Sequence, residues 1–291
     1  MAKKTAWAPF PHRDRSFEYA GPALKKNWAR LHLGDQEPYP STQYLGKLCK
    51  GNSALAESIP DFDGDYAALS DKLLEAWRRY HLGEFQQAVQ LGLDLGVPGY
   101  AVANKATAIY ANYLEPARAV KLKLFEEVAA RAESAIAVLP EHANSHYLYA
   151  YALGRRSQAI SVLEALTQGI GGKVKDALDR ALELEPGHAE AHTAVATCHA
   201  EIVDKVGSVL GALTYGTSKD AAVRHYRKAL ELHPRSAIAR IEFANGLMMM
   251  YGKDRLDEAT NLYIEAANLE PCDAMERLDV ELAKSRLEEV S

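Results

Sequence analysis

The sequence predicts an all-α fold in which helical hairpins stack into a solenoid, with an irregular N-terminal arm before them and a C-terminal capping helix after them. Two observations predict this fold: one short phrase recurs along the chain, and every copy ends in a proline. The 291 residues are 48% hydrophobic and 25% charged, so they can bury a sizeable core in one large or two ordinary domains. This composition excludes a disordered, collagen-like or disulfide-scaffold chain.

The recurring phrase has an alanine five residues before each proline. The four copies begin at Ala135, Ala181, Ala229 and Ala266 and end at Pro140, Pro186, Pro234 and Pro271. Because proline lacks the backbone N–H that a helix needs, each copy predicts the end of a helix. The last two copies also share an earlier alanine and a tyrosine at spacings of four and three residues, namely Ala222, Tyr226 and Ala229 and again Ala259, Tyr263 and Ala266.

This pattern resembles the tetratricopeptide repeat (TPR), a 34-residue hairpin of two helices, and the best-defined repeats cover residues 141–271. The resemblance implies that small residues let neighbouring helices approach closely while the tyrosine fills the space between them. It places the starts of three first helices at Ala143, Ala189 and Ala237, and those of the second helices near Lys173, Ser218 and Lys253.

The repeats of this chain are longer than the family unit. The prolines lie 46, 48 and 37 residues apart, so the copies carry about 12, 14 and 3 extra residues over a 34-residue unit. Two inserts are apolar, Ala159–Ile170 and Ile202–Tyr215. We expect the extra residues to lengthen the first helices or the loops that follow them.

The chain is predicted to divide at residue 60. Residues 1–60 predict an irregular arm whose aromatic side chains pack on the helices: Trp7, Phe10, Phe17, Tyr19 and Trp28. Residues 61–291 predict the TPR-like solenoid. It begins with a degenerate hairpin over Asp65–Leu82 and Gly83–Ala88, continues with helices over Tyr100–Leu114 and Ala117–Leu139, and ends with a charged capping helix over residues 273–289.

Charge and cysteine content limit the partners and the compartment. The net charge of −5 makes nucleic acid an unfavourable partner, because binding to phosphate backbones needs a basic surface. Three widely spaced cysteines, Cys49, Cys198 and Cys272, favour a reducing compartment, so we expect a cytoplasmic protein. The longest charge-free apolar stretch, Val206–Ser218, is shorter than the roughly 20 residues that span a bilayer, and residues 1–21 lack the apolar core of a signal peptide.

No catalytic residue, metal site or cofactor is predicted. Histidine pairs four residues apart, His142 with His146 and His188 with His192, and the later His199 lack the HExxH pattern. The repeat alignment instead places His146, His192 and His199 at packing positions. Asp61, Asp63 and Asp65 alternate as in a calcium loop, but the glycine and the twelfth residue do not fit, which favours a helix N-cap in this run. Because the chain also lacks a GxSxG nucleophile motif, we predict that it is not an enzyme.

The TPR resemblance implies that a partner binds on the concave face, which the first helices line. The matching positions are Asn144, Tyr147, Tyr151, Arg155, Glu190, Thr193, Thr197, Glu201, Ile241, Asn245 and Met248. Along these positions the surface changes from aromatic and cationic, through neutral and acidic, to apolar and methionine-rich, which suits an amphipathic helix or a ligand with a polar head. We therefore predict a non-catalytic scaffold for a protein or peptide partner, and the alternative is an ordinary solvent-facing surface.

The inserted repeats over residues 141–235 also resemble the regulator of microtubule dynamics family, and they are similar to the T component of TRAP transporters. The segments that carry this likeness are Ala150–Gly154, Lys173–Leu184 and Leu213–Gly216. The resemblance implies an alternative function, the binding of a hydrophobic or lipid-like ligand inside the helical array. Its cavity residues are predicted as Val206, Val209, Leu210 and Leu213, and the same residues can instead close a solid core or a dimer face. The oligomeric state is not predicted.

Overall fold

The structure, a computed structural model, describes residues 6–158 and 168–290. Within these ranges all regular structure is helical. Contacts divide the molecule into two compact units. Unit 1 contains the described residues of Met1–Trp28, Pro38–Ala159 and Asp273–Met275, and unit 2 those of Ala29–Glu37, Ile160–Cys272 and Glu276–Ser291. Most of the first apolar insert, residues 159–167, lies outside the described residues.

Residues 6–158 form eight α-helices. They are α1 (Ala23–Leu31), α2 (Thr42–Lys50), α3 (Ser53–Glu57), α4 (Tyr66–Leu82), α5 (Phe85–Leu93), α6 (Tyr100–Tyr113), α7 (Arg118–Val138) and α8 (Ala143–Gln158). From α4 to α8, each helix packs against the next one along the chain. This succession confirms the predicted hairpins of unit 1, including the degenerate one formed by α4 and α5.

The second half of the chain continues the same architecture. Within residues 168–290 the α-helices are α9 (Ile170–Leu184), α10 (Ala189–Val206), α11 (Ser208–Tyr215), α12 (Lys219–Leu232), α13 (Ala237–Tyr251), α14 (Leu256–Ala267) and α15 (Ala274–Val290). The first helices α8, α10 and α13 begin at the predicted residues. The second helices α7, α9 and α12 each end two residues before their prolines, which confirms the role of proline as a helix stop. Helix α15 is the predicted capping helix.

The tyrosine of the repeat packs in unit 2 as the TPR resemblance implies. Tyr226 on α12 is fully buried, and its ring stacks on Phe243 of α13 with centroids 4.9 Å apart. Its hydroxyl lies 3.0 Å from the Thr197 hydroxyl on α10. A Cβ atom on Gly246 of α13 would lie 2.7 Å from this ring. The absence of a side chain at Gly246 therefore lets α12 and α13 approach closely.

The arm of unit 1 packs through its aromatic side chains. Trp7 stacks on Tyr110 with centroids 3.9 Å apart, and Phe10, Phe17, Tyr19 and Trp28 are buried, which confirms the predicted packing. The arm also contains helices that the sequence did not predict. Helix α2 is capped by the Ser41 hydroxyl, which accepts from the Tyr44 N–H, and α3 by the Asn52 side chain, which accepts from the Leu55 N–H.

The second apolar insert has two parts. Its beginning lengthens α10 to 18 residues, as expected for a first helix. Its remainder forms the additional short helix α11, which is flanked by Gly207 and Gly216, both with positive φ. Val209, Leu210 and Leu213 of α11 are exposed. Their exposure places them on the outside of unit 2, which differs from the prediction that they line a cavity, because only Gly211 of this helix is buried.

We expect the stability of unit 2 to depend on the close contact between Tyr226 and Gly246. Replacing Gly246 by alanine should lower the free energy of unfolding by about 1 to 3 kcal/mol, because the new methyl group overpacks the tyrosine ring. The matched control is Gly172→Ala on α9, where a Cβ meets no atom within 4 Å. That change should be neutral or stabilise the helix by up to about 1 kcal/mol. Urea denaturation measures both, and equal effects would contradict the close packing.

The N-cap of α4 gives a second prediction. The Asp65 carboxylate accepts hydrogen bonds from the N–H groups of Ala67 and Ala68, each at 2.9 Å. Asp65→Ala should therefore destabilise the protein by about 1 kcal/mol, whereas Asp65→Asn should keep most of the cap. Thermal unfolding of the two variants beside the wild type measures the difference. An alanine variant as stable as the asparagine variant would show that the cap does not contribute.

Candidate functional site

Four of the predicted partner-binding residues belong to the core. Asn144, Tyr147, Thr193 and Ile241 are buried, and the Thr193 hydroxyl donates to the Ala189 carbonyl of its own helix at 3.0 Å. Their side chains pack between helices, so they are not accessible to a partner. The other seven predicted positions remain partly exposed.

In unit 1 the partly exposed positions form an aromatic and cationic pair on α8. The Arg155 guanidinium lies 5.1 Å from the centre of the Tyr151 ring, a distance typical of a cation–π contact. Phe125 of α7 supports the same ring, with centroids 6.3 Å apart. A guanidinium held against aromatic rings is pre-organised to bind a carboxylate or a second aromatic group.

In unit 2 the partly exposed positions lie on α10 and α13, which pack against each other. They are Glu190, Thr197, Glu201, Asn245 and Met248. Tyrosines of the second helices hold two of them: Tyr226 contacts Thr197, and the Tyr263 hydroxyl donates to the Asn245 side chain at 2.6 Å. The Glu201 carboxylate pairs with Lys205 at 3.2 Å. The surface combines an acidic group with methionine, as the sequence predicts.

A cluster of three histidines lies between α10 and α12. The Nδ1 atoms of His192 and His225 are 2.9 Å apart, and the His225 ring stacks on His199 with centroids 6.2 Å apart. His192 Nε2 faces the Pro186 carbonyl at 3.2 Å and must donate to it, so neutral His192 accepts at Nδ1 from His225. His199 Nδ1 accepts from the Ser218 N–H at 3.1 Å. Each of these contacts fits an uncharged ring.

The surroundings of the cluster favour the uncharged form. Burial is the main cause that lowers the pKa of all three rings, and Lys228 lowers that of His192 further. Lys175 and Arg224 act in the same direction on the pKa of His199. The pKa of His225 falls to about 4, through burial and then through His192, His199 and Arg224. Asp179 of α9 opposes these effects on the pKa of His199 and His225.

The other histidines of the predicted pairs have structural contacts. His142 Nδ1 lies 2.9 Å from the Ser145 hydroxyl, and His146 Nε2 donates to the Pro140 carbonyl at 2.9 Å. The buried His188 caps α10 by accepting from the Ala191 N–H. These three side chains are therefore engaged in local hydrogen bonds to their own repeats. Over the described ranges, no group of three or more His, Cys, Asp or Glu side chains is arranged to hold a metal ion.

His225 is the member of the cluster that no motif or histidine spacing in the sequence indicates. It immediately precedes Tyr226, the aromatic position of the second helix, and this neighbour places it at the contact with the first helix. The nearby Cys198 thiol has its pKa raised to about 11, mainly by burial. This cysteine is therefore a protonated packing residue and a poor nucleophile at neutral pH.

The histidine cluster predicts a pH dependence of stability. Because the pKa of His225 is about 4 in the folded chain and about 6.5 in an unfolded chain, the unfolded state binds more protons between these values. The stability from neutral His225 is therefore present above about pH 6.5 and is lost as the pH falls towards 4. In His225→Gln, the stability lost on acidification should be smaller than in the wild type by about 1 to 2 kcal/mol. The difference is smaller than for a fully buried group, because the ring is partly exposed and solvent screens its charge.

Urea denaturation at a series of pH values between neutral and acidic measures this effect. The matched variant is His225→Asn, which also removes the imidazole ring. It should give the same pH dependence as His225→Gln. Parallel pH profiles for the wild type and His225→Gln would contradict the prediction.

Comparison with known proteins identifies the architecture and the family. The structure is similar to that of TTC0263, a thermophilic TPR protein of Thermus thermophilus, with a TM-score of 0.52 at 18% identity over 74% of this chain and 98% of that chain. At this identity the likeness shows the fold alone. A search of curated proteins finds no match. The family model for regulator of microtubule dynamics proteins 1-3 matches residues 100–290. Because this match covers more than half of the chain, the protein belongs to that family.

Proposed function

We propose that this protein is a non-catalytic scaffold that binds a peptide or protein partner on surfaces that the first helices of its repeats form within each unit. The observation that carries the proposal is the partly exposed pair of Tyr151 and Arg155 on α8. Arginine and tyrosine are the side chains that most often dominate the energy of a protein interface. A partner with an acidic or aromatic group suits this part of the surface.

The surface of unit 2 supports the same proposal with different chemistry. Glu201 offers a carboxylate, while Met248 and its neighbour Met249 offer flexible apolar side chains. Methionine adapts its shape to irregular partners, which suits a surface that holds an amphipathic helix. A cytoplasmic location is part of the proposal and is supported by the three free cysteines. No described helix is long and apolar enough to cross a membrane.

The test measures binding of a peptide selected from a random peptide library on the immobilised full chain. Tyr151→Ala combined with Arg155→Ala should weaken that binding about 30-fold, which corresponds to about 2 kcal/mol for loss of an interface hot spot. The melting temperature should stay close to that of the wild type, since both side chains are partly exposed.

The matched control is Val120→Ala combined with Lys123→Ala on the second helix α7, which also removes one apolar and one cationic side chain at least partly open to solvent. It should bind the peptide as the wild type does. Because the family is that of regulators of microtubule dynamics, microtubules are the first protein to test as a partner. Co-sedimentation with microtubules measures this binding for the wild type and for the same two variants. Peptide binding that survives the Tyr151 and Arg155 substitutions would contradict the proposed surface.

A further inference from the structure

Helix α11 presents an apolar surface that the proposed function does not use. Its side chains Val209, Leu210 and Leu213 are 71%, 58% and 79% exposed. The other exposed large hydrophobic side chains of the described residues are only 38% to 43% exposed. Six of the eight residues of α11 are exposed. Burying three large aliphatic side chains elsewhere would be strongly favourable, so this exposure indicates a surface with a binding role.

The surface of α11 carries no charge. No charged residue occurs from Val206 to Ser218, which includes the helix and both flanking glycines. The first basic residues on either side are already engaged: Lys205 pairs with Glu201, and the Lys219 ammonium donates to the Met250 carbonyl. An apolar partner can therefore cover α11 without removing water from a charged group.

Among the described residues, α11 packs on unit 2 through the side that carries Gly211. Gly211 is its buried residue, and a Cβ there would lie 3.1 Å from Ile202 and 2.7 Å from the Thr217 hydroxyl. Gly207 and Gly216 flank the helix with φ of +88° and +67°, backbone conformations that favour glycine. At eight residues the helix is about 12 Å long, too short to cross a bilayer but sufficient to lie along its surface.

The size and chemistry of this surface favour lipid over protein as the occupant. A stable protein interface takes roughly 20 to 30 residues from each side, whereas α11 offers eight residues with three large apolar side chains. A protein interface also uses a polar rim and charges to fix its register, and α11 has no charges. A bilayer surface needs no fixed register, and it binds an in-plane helix more strongly as the inserted apolar area increases.

We propose that α11 docks the protein on a lipid surface by inserting Val209, Leu210 and Leu213 below the headgroups of one leaflet. The inserted helix lies parallel to the membrane plane, with Gly211 facing unit 2. Since the chain carries a net charge of −5 and α11 has no cation, insertion does not depend on anionic lipid. The lipid class that fits is therefore zwitterionic, and the attachment is hydrophobic.

The experiment is flotation of the full chain with vesicles of pure phosphatidylcholine, at low and at high salt. The wild type should float with the vesicles under both conditions. Leu210→Glu combined with Leu213→Glu should lower the bound fraction about tenfold or more, because a carboxylate resists insertion. The control, Val120→Glu with Ile264→Glu, places the same charges at exposed apolar positions on α7 and α14 and should float as the wild type does.

A second variant keeps the test independent of the charge substitutions. In Leu213→Trp, the emission of the added tryptophan should shift to shorter wavelength when phosphatidylcholine vesicles are added, because its indole ring enters the membrane interface. Failure of the wild type to float, equal flotation of the glutamate variant, or binding that needs anionic lipid and disappears in high salt would each overturn the proposal. Self-association without vesicles that the glutamate variant abolishes would overturn it too, since the face would then bind a second copy.

Discussion

The packing of the Tyr226 ring between two first helices is the interaction on which unit 2 depends. The ring stacks on Phe243, lies against the bare backbone of Gly246, and its hydroxyl meets Thr197 on the other first helix. One side chain thus fixes the spacing of α10, α12 and α13. The positions of Glu201 and Met248, which belong to the proposed binding surface, follow from that spacing because they lie on the same first helices.

The hairpins could be predicted because their determinants are local and repeated. Alanine, tyrosine and proline at fixed spacings specify both where a second helix ends and which of its faces is buried. Helices α2 and α3 could not be predicted from a repeat, since they begin at single capping side chains, Ser41 and Asn52. Helix α11 could not be predicted either: its apolar residues indicate burial, but in the structure Val209, Leu210 and Leu213 are exposed.

The sequence predicts which residues lie on the first helices, but it does not predict which of them are exposed. Ile241 and Asn245 lie one turn apart on α13, yet the first is fully buried and the second is partly exposed. The difference depends on how closely the neighbouring first helix packs, and the sequence of α13 does not contain that distance. The histidine cluster has the same origin, because His225 meets His192 only after α10 and α12 have packed. Its low pKa values follow from that burial.

The most direct measurement of the role of Tyr226 is a double-mutant cycle with Gly246, read as free energies of unfolding in urea. If the ring sets the spacing of the helices, Tyr226→Leu makes room for a methyl group at position 246. Gly246→Ala should then be less destabilising in the Tyr226→Leu background by at least about 1 kcal/mol. Additive effects of the two substitutions would show that Tyr226 does not determine how closely α12 and α13 approach.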